Sequence, residues 1–267
     1  MLVRRVFPGW LGGAALVLAS AGGVEGTVAP MWDDDLEEAA TLTDLFPADA
    51  SRFTQLQAEH GGVCTLETSI VHGGSSSVRC HAPATGSAKA DLGRQDVSRD
   101  VPDQPAPPRF GQDADQELWA EMWLYVREAG LCEGLFLWDI EESAANNAGL
   151  RIHCKTDPAT GVDYLKMNSE FGPSFQPDPP YIQFPFDEWA RVRVYVRFQA
   201  RGGIVKIWVN DALVLDAVGP TARRRRSIYD SIQWGATINA SDRAQTVYVD
   251  DVKIWNTDPA WEAAQRL

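Results

Sequence analysis

Apolar and polar residues alternate with a period of two along much of this chain, most clearly between Phe186 and Asp216. Val192, Val194, Val196 and Phe198 share one parity there, and Arg191, Arg193, Tyr195 and Arg197 take the other. Beyond a Gly202-Gly203 turn, Val205, Ile207 and Val209 alternate with Lys206, Trp208 and Asn210. Such alternation predicts an antiparallel hairpin with one buried and one polar face. Leu118 to Val126 repeats the pattern, with Trp119, Glu121, Trp123 and Tyr125 opposite the apolar parity. Leu135 to Ile140 is a mostly apolar run suited to a central strand, and Leu150 to Lys155 alternates Leu150, Ile152 and Cys154 with Arg151, His153 and Lys155. Further strands are predicted over 62–67, 77–81, 164–169, 231–238 and 246–255, and no long helical periodicity follows the first residues. Ten or more strands separated by turn residues indicate an all-β, two-sheet antiparallel sandwich.

The N-terminus changes the picture of where the chain works. Residues 1–21 have the form of an export signal: Arg4 and Arg5, an apolar stretch from Leu11 to Leu18, and the small residues Ala19-Ser20-Ala21. The two arginines also permit a twin-arginine reading. The apolar stretch is too short to span a bilayer. The chain is therefore expected to be secreted, periplasmic or extracellular, with one domain over 22–255 and a tail or short helix over 256–267. The net charge is −13 and becomes more acidic once the two leader arginines leave. That balance speaks against nucleic acid and anionic membranes as partners. Four cysteines, Cys64, Cys80, Cys132 and Cys154, suit two disulfides in an exported chain. Three connectivities exist; Cys64–Cys80 and Cys132–Cys154 is preferred, because each pair flanks one turn-containing segment.

Two proline-bearing stretches, 96–115 and 172–185, are long loops of the kind that border binding sites. Chemistry concentrates on the polar strand faces. Trp123, Tyr195 and Trp208 are candidate platforms for sugar rings, and Arg151, Arg193, Arg197 and Lys206 candidate anion contacts, since Arg forks match carboxylates bidentately. Seven carboxylates fall within 31–49 without a Lys or Arg, and Asp250-Asp251 interrupts the closing apolar run, where the parity change predicts a bulge. Asn239-Ala240-Ser241 is an N-glycosylation sequon, and Arg223 to Arg226 is a basic loop.

The W-x-R-V-x-V run beginning at Trp189, the V-K-I-W-V-N-D-A-L-V run beginning at Val205 and the closing V-Y-V-D-D-V-K-I-W resemble the concanavalin A-like jelly roll. So do the opening W-D-D-D-L-E-E at Trp32 and G-G-S-S-S-V-R-C at Gly73. That group holds lectins, laminin-G-like domains, glycanases and polysaccharide lyases. The resemblance implies a structural calcium between the start and the last strand, using Asp35 or Glu37 with Asp250 or Asp251. It also implies the chemistry of lyases, which carry Q-I-H or Q-V-H and K-x-G-x-Y. Here the first reads Arg151-Ile152-His153 and the second falls on Ile232 to Thr237, so the Gln and the Tyr are missing. His153 with Arg151 and with Tyr195 or Tyr164 would then move the protons. The E-x-D-x-E of retaining glycanases falls on Leu137, Asp139 and Glu141, without its first acid. The reading that follows is an exported jelly roll binding a polysaccharide, acidic in character, on its concave sheet. A divergent lyase and a cell-surface adhesion domain are the alternatives.

Overall fold

The computed structural model describes residues 28–95, 109–127, 132–142 and 147–261. The expected export signal lies outside these residues, as do 96–108 of the first proline-bearing stretch and the last six residues of the tail. Among the described residues fourteen strands follow in chain order. They are β1 (Trp32–Asp34), β2 (Gln55–Glu59), β3 (Val63–Glu67), β4 (Ser77–Ala82), β5 (Ala88–Gln95), β6 (Glu117–Val126) and β7 (Leu135–Glu142). The chain continues through β8 (Asn147–Thr156), β9 (Asp163–Ser169), β10 (Trp189–Arg197), β11 (Gly203–Val209), β12 (Ala212–Gly219), β13 (Ser231–Asn239) and β14 (Gln245–Trp255). One short 3₁₀ turn, Leu42–Leu45, lies between β1 and β2.

All strand pairs are antiparallel and form two sheets. The larger runs β12-β11-β10-β6-β14-β4-β3, with β1 also paired to β14; the smaller runs β2-β5-β13-β7-β8-β9. The expected two-sheet sandwich is therefore the observed architecture. Each strand turns one parity inward. In the smaller sheet, register aligns Leu92, Trp234, Trp138, Ile152 and Met167 in one inward row, all without solvent exposure. Facing them are Val192, Val194, Val196, Val205 and Ile207 of the larger sheet, also at 0% exposure. Burying each such side chain stabilises the fold by about 1.5–3 kcal/mol, so the apolar parity, once chosen, is held by the whole interior.

Turn chemistry matches the strand ends. β11 and β12 are joined by Asn210 and Asp211 alone, whose φ values of 47° and 70° make the two-residue turn that suits the twist of a hairpin. β14 carries the expected bulge: its pairing with β6 shifts between Asp250 and Lys253, where Asp251 has φ 46°. On the other edge of β14, β4 pairs with residues before the bulge and β1 with residues after it. No helix among the described residues is long and apolar enough to cross a membrane.

Of the two expected cysteine pairings, Cys132–Cys154 is a disulfide. Cys64 and Cys80 lie directly opposite each other on β3 and β4, with sulfurs 3.5 Å apart, as buried thiols. The closed bridge spans 22 residues and ties the start of β7 to β8. Replacing Cys132 and Cys154 by Ser is expected to lower unfolding free energy by about 3 kcal/mol on loop-entropy grounds. Urea denaturation of both proteins checks this.

Candidate functional site

Because Ile152 and Cys154 point inward, β8 presents Arg151, His153 and Lys155 on the outward face of the smaller sheet, and β9 likewise presents Tyr164, Lys166 and Asn168. Register pairs Arg151 with Asn168, His153 with Lys166 and Lys155 with Tyr164. The His153 ring stacks on Phe136 of β7 at 4.2 Å and 11°. Phe136 and His153 also line a cleft of about 600 Å³ with Glu133, Gly134, Ala240, Ser241, Asp242 and Arg243. Along the far edge, the second proline-bearing loop folds back over β9. Phe175 pairs with Met167, and Tyr181 stacks on Tyr164 at 4.0 Å and 6°.

The charges of this patch are unequally satisfied. Arg151 pairs with Asp139 at 2.6 Å, Glu170 at 3.2 Å and Glu141 at 3.5 Å. Lys155 pairs with Glu133. Lys166 has no carboxylate partner among the described residues, and burial together with Lys155 lowers its pKa. Both ring nitrogens of His153 are buried without a hydrogen-bond partner. Burial first, then Lys166 and Lys155, pushes its pKa down to about 3, so the imidazole is neutral at physiological pH. The patch thus offers a neutral base, an unpaired amine and a phenol side by side.

The outward face of the larger sheet is arranged differently. Tyr195 and Trp208 are 7% and 3% exposed, packed with Trp119 and Trp255 beneath Trp261 of the C-terminal segment. Trp261 meets Trp119, Trp208 and Trp255 at centroid distances of 5.3, 6.0 and 5.5 Å. Tyr195 donates to Glu117 at 3.1 Å, and burial with that carboxylate raises its pKa to about 12. Arg193 binds Glu121 at 2.7 Å and Asp211 at 2.8 Å under Trp261, while Arg197 donates to the Gly202 carbonyl. Lys206 lies 3.9 Å from Asp216. Trp123 is covered by His72, stacked at 3.6 Å. These residues form a second small core and its ion-paired rim rather than open platforms. His153 and Arg151 stand on the other sheet, so Tyr195 does not join them; Tyr164 does.

Solved structures with this architecture exist. The cellulose-induced protein Cip1 superposes with a TM-score of 0.58 at 16% identity, covering 84% of this chain and 97% of that one. The alginate lyase Aly36B gives 0.54 at 13% identity, over 84% and 96%. An endo-β-1,4-glucuronan lyase from the fungus Trichoderma reesei gives 0.51 at 11%, over 77% and 91%. This chain has the concanavalin A-like jelly-roll fold. No protein-family model matches it, and neither does any curated protein sequence.

On this jelly roll Asp139 and Glu141 share the outward face of β7, but Leu137 is a fully buried core residue next to a register shift. The three-acid strand of retaining glycanases is therefore not reproduced. Burial holds Asp139 well above the usual carboxylate range, opposed by Arg151 and reinforced by Glu141. The acids considered for calcium make local hydrogen bonds. Glu37 accepts from the amides of Ser75 and Ser76 at 2.6 and 3.2 Å. Asp250 accepts from His72, Gly73 and Asp251 at 2.9, 3.4 and 2.9 Å. Asp251 pairs with His72 at 2.7 Å, and Asp35 accepts from Glu37 at 3.2 Å. Among the described residues no three His, Cys, Asp or Glu side chains are grouped to hold a metal ion. The sequon Asn239 is fully buried, its amide nitrogen donating to the carbonyls of Ala82, Pro83 and Arg243, which closes it to glycosylation.

Strand parity would have pointed to Lys166 and Asn168, yet the sequence reading passed over both; Tyr181 reaches the patch only through a loop. The state of His153 has a measurable consequence. The unfolded chain takes a proton near histidine's ordinary value of 6.5, which the folded ring refuses until about 3. Acidification across that window therefore favours the unfolded chain. Between pH 7.5 and pH 4 the native protein should lose roughly 3 kcal/mol more than the His153→Gln variant. Urea denaturation of both proteins at the two pH values checks this; parallel losses would show that the ring is not held neutral.

Proposed function

We propose that the protein is an exported carbohydrate-binding jelly roll that takes an acidic polysaccharide along the outward face of the smaller sheet. The observation that carries this reading is the pairing of Lys166, an ammonium without a carboxylate partner, with the unpartnered nitrogens of His153 beside Arg151 and Asn168. A uronate carboxylate seated there supplies the missing acceptor, and the Tyr164–Tyr181 stack borders the site with aromatic surface. In support, an Aly36B variant with a lysine and a tyrosine changed to alanine holds an alginate tetrasaccharide on the same fold.

A second reading, cleavage by β-elimination, is favoured by the neutral His153 imidazole next to Tyr164 and Lys166. A base would remove the proton beside the uronate carboxylate, and that electron pair would form the ring double bond as the glycosidic C–O bond breaks. A hydroxyl such as that of Tyr164 would protonate the leaving oxygen. Affinity electrophoresis against uronate polysaccharides should show retention that Lys166→Ala weakens about tenfold or more, the usual worth of a charge-assisted hydrogen bond. Absence of retention across the panel would leave the adhesion reading. Absorbance of the same mixtures in the ultraviolet separates binding from cleavage: a rise abolished by His153→Ala reports unsaturated product, and a flat trace reports recognition alone.

A further inference from the structure

The outward face of the smaller sheet holds a second set of unsatisfied groups, on strands away from His153. Register across β2, β5, β13 and β7 places Gln55, Gly93, Gln233 and Asp139 in one row, and Gln57, Asp91 and Gly235 in the next. The Gln55 and Gln233 side chains lie over Gly93: an added Cβ would be 3.1 Å from the Gln55 side-chain oxygen, 3.2 Å from its Cβ and 3.5 Å from Gln233 Cγ. Asp91 and Gln233 are buried, at 0% and 1% exposure, although strand parity turns them away from the core. Both carboxyl oxygens of Asp91 and the side-chain oxygens of Gln55, Gln57 and Gln233 are buried without a hydrogen-bond partner. The Gln233 amide nitrogen is committed to Glu141 at 3.1 Å, which orients its oxygen as the free end.

Buried polar atoms are nearly always paired in native proteins, and each orphan costs about 1–3 kcal/mol. Here the orphans share one chemistry. All are acceptors, so whatever satisfies them must bring donors. The cations nearby are already engaged. Lys89 lies 3.9 Å from Glu59, Arg94 donates to the carbonyls of Ala50 and Arg52, and Arg151 is held by Asp139, Glu141 and Glu170. A uronate carboxylate in this recess would face Asp91, Asp139 and Glu141, whose neighbouring cations Lys89 and Arg151 are already paired with carboxylates. Sugar hydroxyls carry donors and no charge. With strands about 4.8 Å apart, Gln233 lies roughly 10 Å across the sheet from the Arg151 strand, beside the anion patch rather than in it.

We propose that this recess is a subsite for an uncharged, hydroxyl-rich sugar, so that the polymer bound is mixed. A neutral unit lies over Gln55, Gln57, Asp91 and Gln233, and a uronate lies over Lys166 and His153. The inference rests on the acidic-polysaccharide reading and narrows it to polymers in which neutral sugars and uronates share a backbone. Burial, with Cys64, Asp139 and Glu141 adding to it and Lys89 opposing, holds the Asp91 carboxyl well above the usual carboxylate range.

The test compares mixed polymers (hyaluronan and gellan) with pure polyuronates (alginate and polygalacturonate) by affinity electrophoresis of the whole protein. The native chain should bind at least one mixed polymer about tenfold more tightly than either polyuronate. Asp91→Asn, and separately Gln55→Ala with Gln57→Ala on edge strand β2, should erase that preference and leave polyuronate retention unchanged. Lys166→Ala should weaken both classes. Equal or tighter binding of polyuronates would overturn the inference while keeping the anion reading, as would mixed-polymer binding untouched by both variants. A calcium-dependent rise in melting temperature abolished by Asp91→Asn would overturn it in favour of a cation site. Retention of neither class would remove the anion reading and this inference with it.

Discussion

The hydrophobic interior shared by the two sheets is the constraint on which the other features depend. A strand has two faces, and once Leu92, Trp234, Trp138, Ile152 and Met167 are aligned inward, their neighbours Gly93, Gln233, Asp139, Arg151 and Asn168 must align outward. A slip of one residue would drive that polar row into the core, at the cost of burying several charges. Apolar packing therefore places the polar row on the outer face without any of its members contributing to the choice.

The two outer faces then diverge. On the larger sheet, Trp261 closes over Trp119, Tyr195 and Trp208, and Arg193 finds two carboxylates. On the smaller sheet the same kinds of residue are left incomplete: a neutral imidazole, an unpaired amine and a row of acceptor oxygens. Folding alone does not stabilise such groups in that state.

Much of this was legible one strand at a time. The parities of β6, β8, β10 and β11 follow directly from alternation, and the change of parity at Asp250-Asp251 marked the β14 bulge. The Asn210-Asp211 turn was legible because few residues other than Asn, Asp and Gly accept left-handed backbone at two successive positions. Strands β2 and β5 were not. Ala-Lys-Ala-Asp-Leu-Gly has weak strand propensity and little apolar bulk, so Asp91 gave no sign of lying on a strand. Lys166 was passed over although the alternation Tyr164, Lys166, Asn168 places it beside His153. Tyr195 and Trp208 misled because exposure was inferred from parity, whereas a distant tryptophan at the chain's end covers them.

The order of apolar and polar residues by itself determined that this chain is an all-β sandwich and which side chains of most strands turn from the core, because a strand's period of two is a local property of the backbone. Which outward faces lie together was decided only by tertiary structure. β8 and β10 carry similar cationic patterns, yet hydrogen bonding assigns one to the smaller sheet and the other to the larger, on opposite sides of the molecule. Strand pairing joins residues far apart in the chain, and nothing in the local alternation encodes it. The same tertiary packing decided that Trp261 would seal one face.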